Sequence, residues 1–140
     1  MELQVGVKAL LQNKDGKYLL LHRSLAKYPD VKGSWDIVGG RINPETTLLE
    51  NLKREIKEET GLEIVDEPRL LAAQDIMRNP DKHVVRLTYV GKIDGEPVLD
   101  TEENNEYKWL SFEDLSKLED LDMYLKELVS NGIFFPIVKS

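Results

Sequence analysis

The segment between Thr47 and Gly61 constrains the fold of this chain more than any other stretch, because it predicts one helix with both ends marked. Thr47 with Glu50 three residues later has the form of a capping box, and Gly61 suits the position just beyond a helix C-terminus. Between these limits Leu48 and Leu52 begin an apolar stripe. The first half of the predicted helix therefore directs leucine side chains toward a core.

The second half of the same stripe carries acidic side chains. At about 100° per residue and with Glu55 as zero, Leu52 lies at about 60° and Glu59 at about 40°, whereas Glu58 lies on the flank at about 300°. An acid at an inward position breaks the pattern of a helix unless it has a function. Carboxylates roughly 6 Å apart repel by roughly 3 kcal/mol per pair, and a magnesium ion would relieve this repulsion. The helical pattern alone leaves two interpretations open: a metal site, or an acidic face in contact with solvent.

The remaining patterns predict a single α/β domain over residues 1–140 with a mixed sheet. They predict a hairpin over residues 3–22, a short strand over 35–38 that ends at Gly39 and Gly40, and strands over 63–65, 70–73, 84–90 and 107–110. Ser111 can cap a short helix that ends near residue 118, and another helix is expected over 122–129. Residues 24–34 are interpreted as a loop, and the apolar segment 133–138 as a tail that packs.

The composition excludes several kinds of site and partner. The chain has no cysteine and only two histidines, so disulfides and thiolate metal sites are excluded and a zinc site is not expected. A net charge of −7 argues against binding a nucleic acid polymer; a small anionic substrate would need a cation or a few well-placed basic side chains. No apolar run approaches the roughly 18 residues that cross a bilayer, and the N-terminus does not resemble a signal peptide. We therefore expect no membrane association and a cytoplasmic location.

The stretch from Gly40 to Leu62, GRINPETTLLENLKREIKEETGL, resembles the Nudix box of the MutT/Nudix hydrolases. The part REIKEETGL fits every constrained position of that motif, and less specific similarity extends to YLLLHRS, WDIVGG and EYKWLSFEDL. Three positions differ: Thr46 replaces the first Glu of the box, Glu45 stands where Gly is usual, and Asn51 stands where a small residue is usual. The resemblance implies a Nudix-type α/β/α sandwich with a mixed sheet and a catalytic helix after a Gly-Gly loop.

The resemblance also implies a set of metal ligands and their chemistry. Mg²⁺, with Mn²⁺ as a substitute, would be bound by three glutamates and by a backbone carbonyl of the glycine pair, while Arg54 would orient the glutamates. A further acid would come from the loop TEENNE, where Glu103 is favoured and Glu102 and Glu106 are alternatives. The general base would be Glu58 or Glu103. The expected ligands are Glu55, Glu58, Glu59, Gly39 and Gly40.

The expected reaction is hydrolysis of a diphosphate linkage in a nucleoside triphosphate, oxidised or not, or in a compound like ADP-ribose. Arg23 and Arg41 are candidate phosphate contacts, with a surface charge as the alternative for each. Trp35 could stack on a base or belong to the core. A catalytically silent Nudix domain that senses nucleotides is the main alternative function. The apolar residues Ile133, Phe134 and Phe135 could serve a homodimer as well as the core.

Overall fold

The computed structural model describes residues 1–24 and 33–132, which contain seven strands and three helices. The predicted loop over 24–34 and the apolar tail over 133–138, with its role in a homodimer, lie mostly or wholly outside these residues. The elements in chain order are β1 (Glu2–Gln12), β2 (Tyr18–Arg23), β3 (Trp35–Asp36), β4 (Val38–Arg41), α1 (Leu48–Thr60), β5 (Arg69–Ile76), β6 (Lys82–Lys92), β7 (Asn104–Leu110), α2 (Phe112–Lys117) and α3 (Met123–Ser130).

The strands form a mixed sheet, as the sequence predicted, and β1 lies at its centre. The strand order is β3-β2-β1-β6-β5, with β4 paired to β1 and β7 paired to β2. Strand β1 is parallel to β6 over eleven residue pairs, from Glu2 with Lys82 to Gln12 with Lys92, and antiparallel to β4. The outer strand β5 is antiparallel to β6.

The two faces of the sheet carry separate apolar cores, which confirms the α/β/α sandwich. Val7, Ala9 and Leu11 of β1 pack in one cluster with Leu52 and Ile56 of α1. The other cluster joins further residues of β1 and β2 to α2 and α3. Successive strand residues point to opposite faces, so one strand can serve both cores. The members of the second cluster include Leu10, Leu20, Leu115, Leu125 and Leu128.

Helix α1 confirms the predicted ends. The Glu50 N–H donates a 3.1 Å hydrogen bond to Thr47 Oγ1, and Gly61 has a φ of 72° at the C-terminal cap. Ser111 and Asp122 accept from backbone N–H groups at the starts of α2 and α3, so the short helices also begin where predicted. None of the helices in the described residues is long and apolar enough to cross a membrane.

Three details of the strands differ from the sequence prediction. Strands β1 and β2 form a hairpin only at its turn, where Gln12 pairs with Tyr18; beyond it β2 pairs with β7 and β1 with β4 and β6. The run at 63–65 is no strand but contains one isolated bridge, from Ile64 to Ile93. Gly39 and Gly40 lie within β4 rather than in a loop. Each difference arises from pairing with a distant segment, which local pattern does not specify.

Candidate active site

Glu59 and Glu55 of α1 face the glycine pair of β4, as the helical pattern predicted for inward positions. Glu59 Oε2 accepts a 2.8 Å hydrogen bond from the Gly39 N–H, and Asn104 Nδ2 lies 3.5 Å from its other oxygen. The Glu55 side chain is only 14% exposed. Two carboxylates are therefore held against a backbone strand instead of facing solvent.

Glycine is required in β4 for this close approach. At Gly39, where φ is 148°, an added Cβ would lie 2.1 Å from the carbonyl oxygen of Val7, which no side chain can accommodate. At Gly40 an added Cβ would lie 2.9 Å from the carboxyl atoms of Glu55. Because Gly39 and Gly40 have no side chains, the backbone of β4 can lie directly against the backbone of β1 and the carboxylate of Glu55.

Burial makes both inward carboxylates difficult to ionise. Burial raises the pKa of Glu59 from its ordinary value of 4.5 to about 7, although Lys8 and the Gly39 N–H favour the charged form. Burial also raises the pKa of Glu55, and the nearby Arg54 opposes this shift without cancelling it. A cation placed between these groups would favour their charged forms.

Arg54 connects the inward carboxylate to Glu58, the flanking one. Its Nη2 donates to Glu55 Oε1 at 3.1 Å, and its Nη1 lies 3.2 Å from both oxygens of Glu58. The Glu58 side chain is 57% exposed, which agrees with its predicted position on the edge of the stripe. Glu55, Glu58 and Arg54 thus form one hydrogen-bonded group on α1, whereas Glu59 bonds to Gly39 of β4.

A cleft of about 290 Å³ lies beside Glu59 and is lined by several basic residues. Of the described residues predicted to touch substrate, Arg23 and Arg41 line this cleft and Trp35 does not. Trp35 is 7% exposed and belongs to the core with α2 and α3, because β3 turns its side chain away from the cleft; base stacking by Trp35 is not supported. Of the three glutamates considered, Glu102 and Glu103 lie in the loop before β7 and Glu106 lies within β7. Among these three described residues, only Glu103 lines the cleft.

A buried charge network forms the floor of the cleft, and the sequence prediction missed it. The carboxylate of Asp36 forms ion pairs with Lys8 at 3.2 Å, Arg23 at 3.0 Å and Arg86 at 3.1 Å. Arg86 forms a second ion pair, with Asp122 at 3.1 Å. Burial disfavours ionisation of Asp36, but the three cations outweigh it and hold its pKa below the usual range. The available signal was a single charged residue inside an apolar strand run, as in VGVKALL, WDIV and HVVRLTYV.

Arg41 and Arg78 extend the positive wall of the cleft. Burial lowers the pKa of Arg41, and repulsion from Arg23, Arg78 and Arg86 lowers it further. Arg78 lies over the ring of Tyr124, 5.5 Å from its centre. Several guanidinium groups crowded around one cleft favour binding of an anion with more than one charge.

The oxygen atoms of Glu55, Glu58 and Glu59 are suitable ligands for a hard divalent cation. Carboxylate oxygens are ligands that Mg²⁺ prefers. Burial raises the pKa of both Glu55 and Glu59, so a cation bound beside them would stabilise their charged forms. Within residues 1–24 and 33–132, no three His, Asp or Glu side chains are already arranged around a common cation position. In the present geometry Arg54 and the Gly39 N–H bind the carboxylates instead.

The sequence matches the NUDIX domain over residues 2–131. It is 36% identical over 59 residues to the CTP pyrophosphohydrolase of Escherichia coli, a match that covers 42% of each protein. It is 29% identical over 118 residues to the ADP-ribose pyrophosphatase of Methanocaldococcus jannaschii, covering 81% of this chain and 65% of that protein. The matches thus span less than two-thirds of either relative.

Solved structures show the same architecture. The MutT protein from Methanosarcina mazei is 29% identical, with a TM-score of 0.80 and coverage of 99% of this chain and 96% of that one. A MutT NUDIX hydrolase from Burkholderia pseudomallei has a TM-score of 0.77 at 23% identity, covering 93% and 98%, which shows a shared fold. Together with the match over nearly the whole chain, these likenesses show that the protein belongs to the NUDIX domain family.

Proposed function

We propose that this protein is a Mg²⁺-dependent hydrolase that cleaves a diphosphate linkage in a nucleoside di- or triphosphate derivative. The observation that most supports this proposal is that acidic and basic side chains lie around the same cleft. Glu55 and Glu59 lie beside the glycine pair at one end, and Arg23 and Arg41 lie along the wall. Such a site could bind a cation and the phosphate groups of a substrate at the same time.

The residues of α1 would hold the cation. Glu55, Glu58 and Glu59 supply the carboxylates, with a backbone carbonyl of the glycine pair as a further ligand and Mn²⁺ as a substitute metal. When bound, Mg²⁺ would offset the charge of the diphosphate and make a nearby water more acidic. Arg54 orients Glu55 and Glu58 through its two terminal nitrogens. The protein contributes mainly positioning and charge, which is what phosphoryl transfer requires.

Glu103 is the favoured general base. It lines the cleft and precedes Asn104, whose Nδ2 lies 3.5 Å from Glu59 Oε1, whereas Glu58 is exposed and held on both oxygens by Arg54. A base has to reach the attacking water, so a carboxylate inside the cleft suits this role better. Glu103 would accept the proton directly or through another water.

The two relatives suggest which nucleotides to test. One is named for CTP and the other for ADP-ribose, so the substrate is proposed to be a nucleoside triphosphate or an ADP-ribose-like compound. The volume of about 290 Å³ favours a small molecule over a nucleic acid polymer. A cytoplasmic location and a homodimer stay predictions.

The decisive experiment is incubation of the protein with a nucleotide panel that includes CTP, the other common nucleoside triphosphates, oxidised forms and ADP-ribose. We expect Mg²⁺-dependent product: a monophosphate with pyrophosphate from a triphosphate, or AMP with ribose phosphate from ADP-ribose. EDTA should abolish it, and Mn²⁺ should restore part of it. Binding of a nucleotide without any product would favour the silent sensor instead. If Mg²⁺ leaves the melting temperature unchanged and no nucleotide binds, the acidic helix would be better explained as a protein contact.

A further inference from the structure

Asn51 is a polar side chain near the glutamates that is buried at 1% exposure and hydrogen-bonded through both ends of its amide. Its Oδ1 accepts from the Asn43 N–H at 2.9 Å and from Arg54 Nη2 at 3.1 Å. Its Nδ2 donates to the Arg41 carbonyl at 3.2 Å. One amide thus joins the loop before α1, the end of β4 and the guanidinium that holds the glutamates.

Thr46, a second departure from the Nudix box, lies in the same cluster. Its hydroxyl is 2.7 Å from the Asn43 carbonyl and 3.1 Å from Asn51 Oδ1, and it shares its one hydrogen between them. Asn51 Oδ1 is therefore surrounded by donors and has a fixed orientation. The two unusual residues form one arrangement rather than two independent substitutions.

Arg54 depends on this arrangement for its position. Among the described residues its Nε has no hydrogen-bond partner and it is buried, so this edge of the guanidinium is packed against protein. The Nη2 atom has two acceptors, Asn51 Oδ1 and Glu55 Oε1, each at 3.1 Å. Without Asn51 only the side chains of Glu55 and Glu58 would hold the guanidinium, so Arg54 and the two carboxylates could shift together.

We propose that Asn51 is the positioning residue for Arg54: its amide oxygen fixes the guanidinium, which in turn holds Glu55 and Glu58 in the orientation that a cation needs. The connection to a bound cation rests on the proposed function. The connection between Asn51 and Arg54 is a property of the protein without metal. The two parts can therefore be tested separately.

The first test uses the metal-free protein. The Arg54 Nε–H, being buried, should give a slowly exchanging NMR signal, assigned by its disappearance in Arg54→Lys. We expect Asn51→Ala to increase its exchange with water by about 10-fold or more. Asn51→Asp keeps the acceptor oxygen and should preserve the protection. Thr60→Ala is the matched control, because Thr60 is similarly buried on α1 and, among the described residues, its hydroxyl bonds only to the backbone of Ile56 and Leu62.

The second test measures the Mg²⁺ concentration at the midpoint of the Mg²⁺-induced rise in melting temperature. Asn51→Ala should need about 10-fold more Mg²⁺, whereas Thr60→Ala should lower the melting temperature without moving this midpoint. Under turnover, Asn51→Ala should lower kcat at limiting Mg²⁺ and leave KM within about twofold. Adding Asn51→Ala to Arg54→Lys should cause little further loss, because residues that act as a unit are not additive.

The outcomes separate the proposal from the proposed function. If the Nε–H stays protected in Asn51→Ala, or if the Mg²⁺ midpoint matches that of Thr60→Ala, Asn51 is only structural and the proposal is wrong. If Asn51→Ala fails to fold, Asn51→Ser replaces it, because the serine hydroxyl is too short to reach Arg54. An Arg54 Nε–H that stays protected in Asn51→Ser would equally refute the proposal. A wild-type protein that neither binds Mg²⁺ nor hydrolyses any nucleotide would refute the function, and the exchange measurement would still decide the role of Asn51.

Discussion

Replacing Glu59 by Gln should stabilise the metal-free protein at neutral pH. The charged form of Glu59 is disfavoured by burial, which raises its pKa to about 7. Gln is neutral and of similar shape, and its oxygen can still accept from the Gly39 N–H, which is 2.8 Å from the carboxylate. The substitution removes the unfavourable charge and keeps the contact.

The size and the pH range of the effect follow from the pKa. The difference between an ordinary value of 4.5 and about 7 corresponds to roughly 3 kcal/mol of unfolding free energy. Below pH 4.5 Glu59 is protonated in both the folded and the unfolded protein, so it does not destabilise the fold. Between the two values the unfolded chain has lost its proton and the folded protein keeps it, so stability falls as pH rises. Above pH 7 the destabilisation by Glu59 is complete.

The assay is urea unfolding in EDTA at a series of pH values between 4 and 8. The stability of Glu59→Gln minus that of the wild type should be close to zero at pH 4 and reach roughly 3 kcal/mol at pH 8, or roughly 10 °C in melting temperature. Mg²⁺ should stabilise the wild type and reduce this difference. Glu58→Gln is the control, because an exposed side chain should change stability by less than about 1 kcal/mol. A constant difference at all pH values would contradict the reasoning.

Three further predictions concern the surroundings of the cleft. Glu45 has a φ of 70°, so Glu45→Gly should raise the unfolding free energy by about 1 kcal/mol in urea, whereas Glu45→Ala should give no such gain. Glu103→Gln should lower kcat by about 100-fold or more in a product assay, while Glu102→Gln in the same loop stays within about twofold; equal effects would exclude Glu103 as base. Asp36→Asn should lower stability by about 3–5 kcal/mol because it leaves three cations around one buried position, and a loss below about 1 kcal/mol in urea unfolding would show that water reaches the network.

Helix α1 could be predicted almost completely from the sequence because its signals are local. Thr47 and Gly61 mark its ends, and a periodicity of about 3.6 residues per turn separates inward Glu55 and Glu59 from flanking Glu58. The structure reproduces each of these features. An interaction between residues three or four apart needs no knowledge of the rest of the fold.

The floor of the cleft could not be predicted in the same way. Lys8, Asp36 and Arg86 lie on three different strands, β1, β3 and β6, and they meet because β1 pairs with β6 while β3 joins the same sheet through β2. Sequence pattern shows each as an isolated charge and does not show that they meet. For Trp35 the sequence allowed both a role in substrate binding and a place in the core, and only the tertiary packing shows that it belongs to the core.

The parallel pairing of β1 with β6 has a consequence for folding during synthesis. Each residue of β1 pairs with a residue of β6 that lies 80 positions later in the chain. During synthesis β1 therefore leaves the ribosome well before its parallel partner β6. At roughly 5–20 residues per second, translation leaves this strand without its parallel neighbour for on the order of ten seconds. Nascent chains stalled before Lys92 has left the ribosome should therefore remain sensitive to protease, and native protection should appear only once that neighbour is outside the exit tunnel.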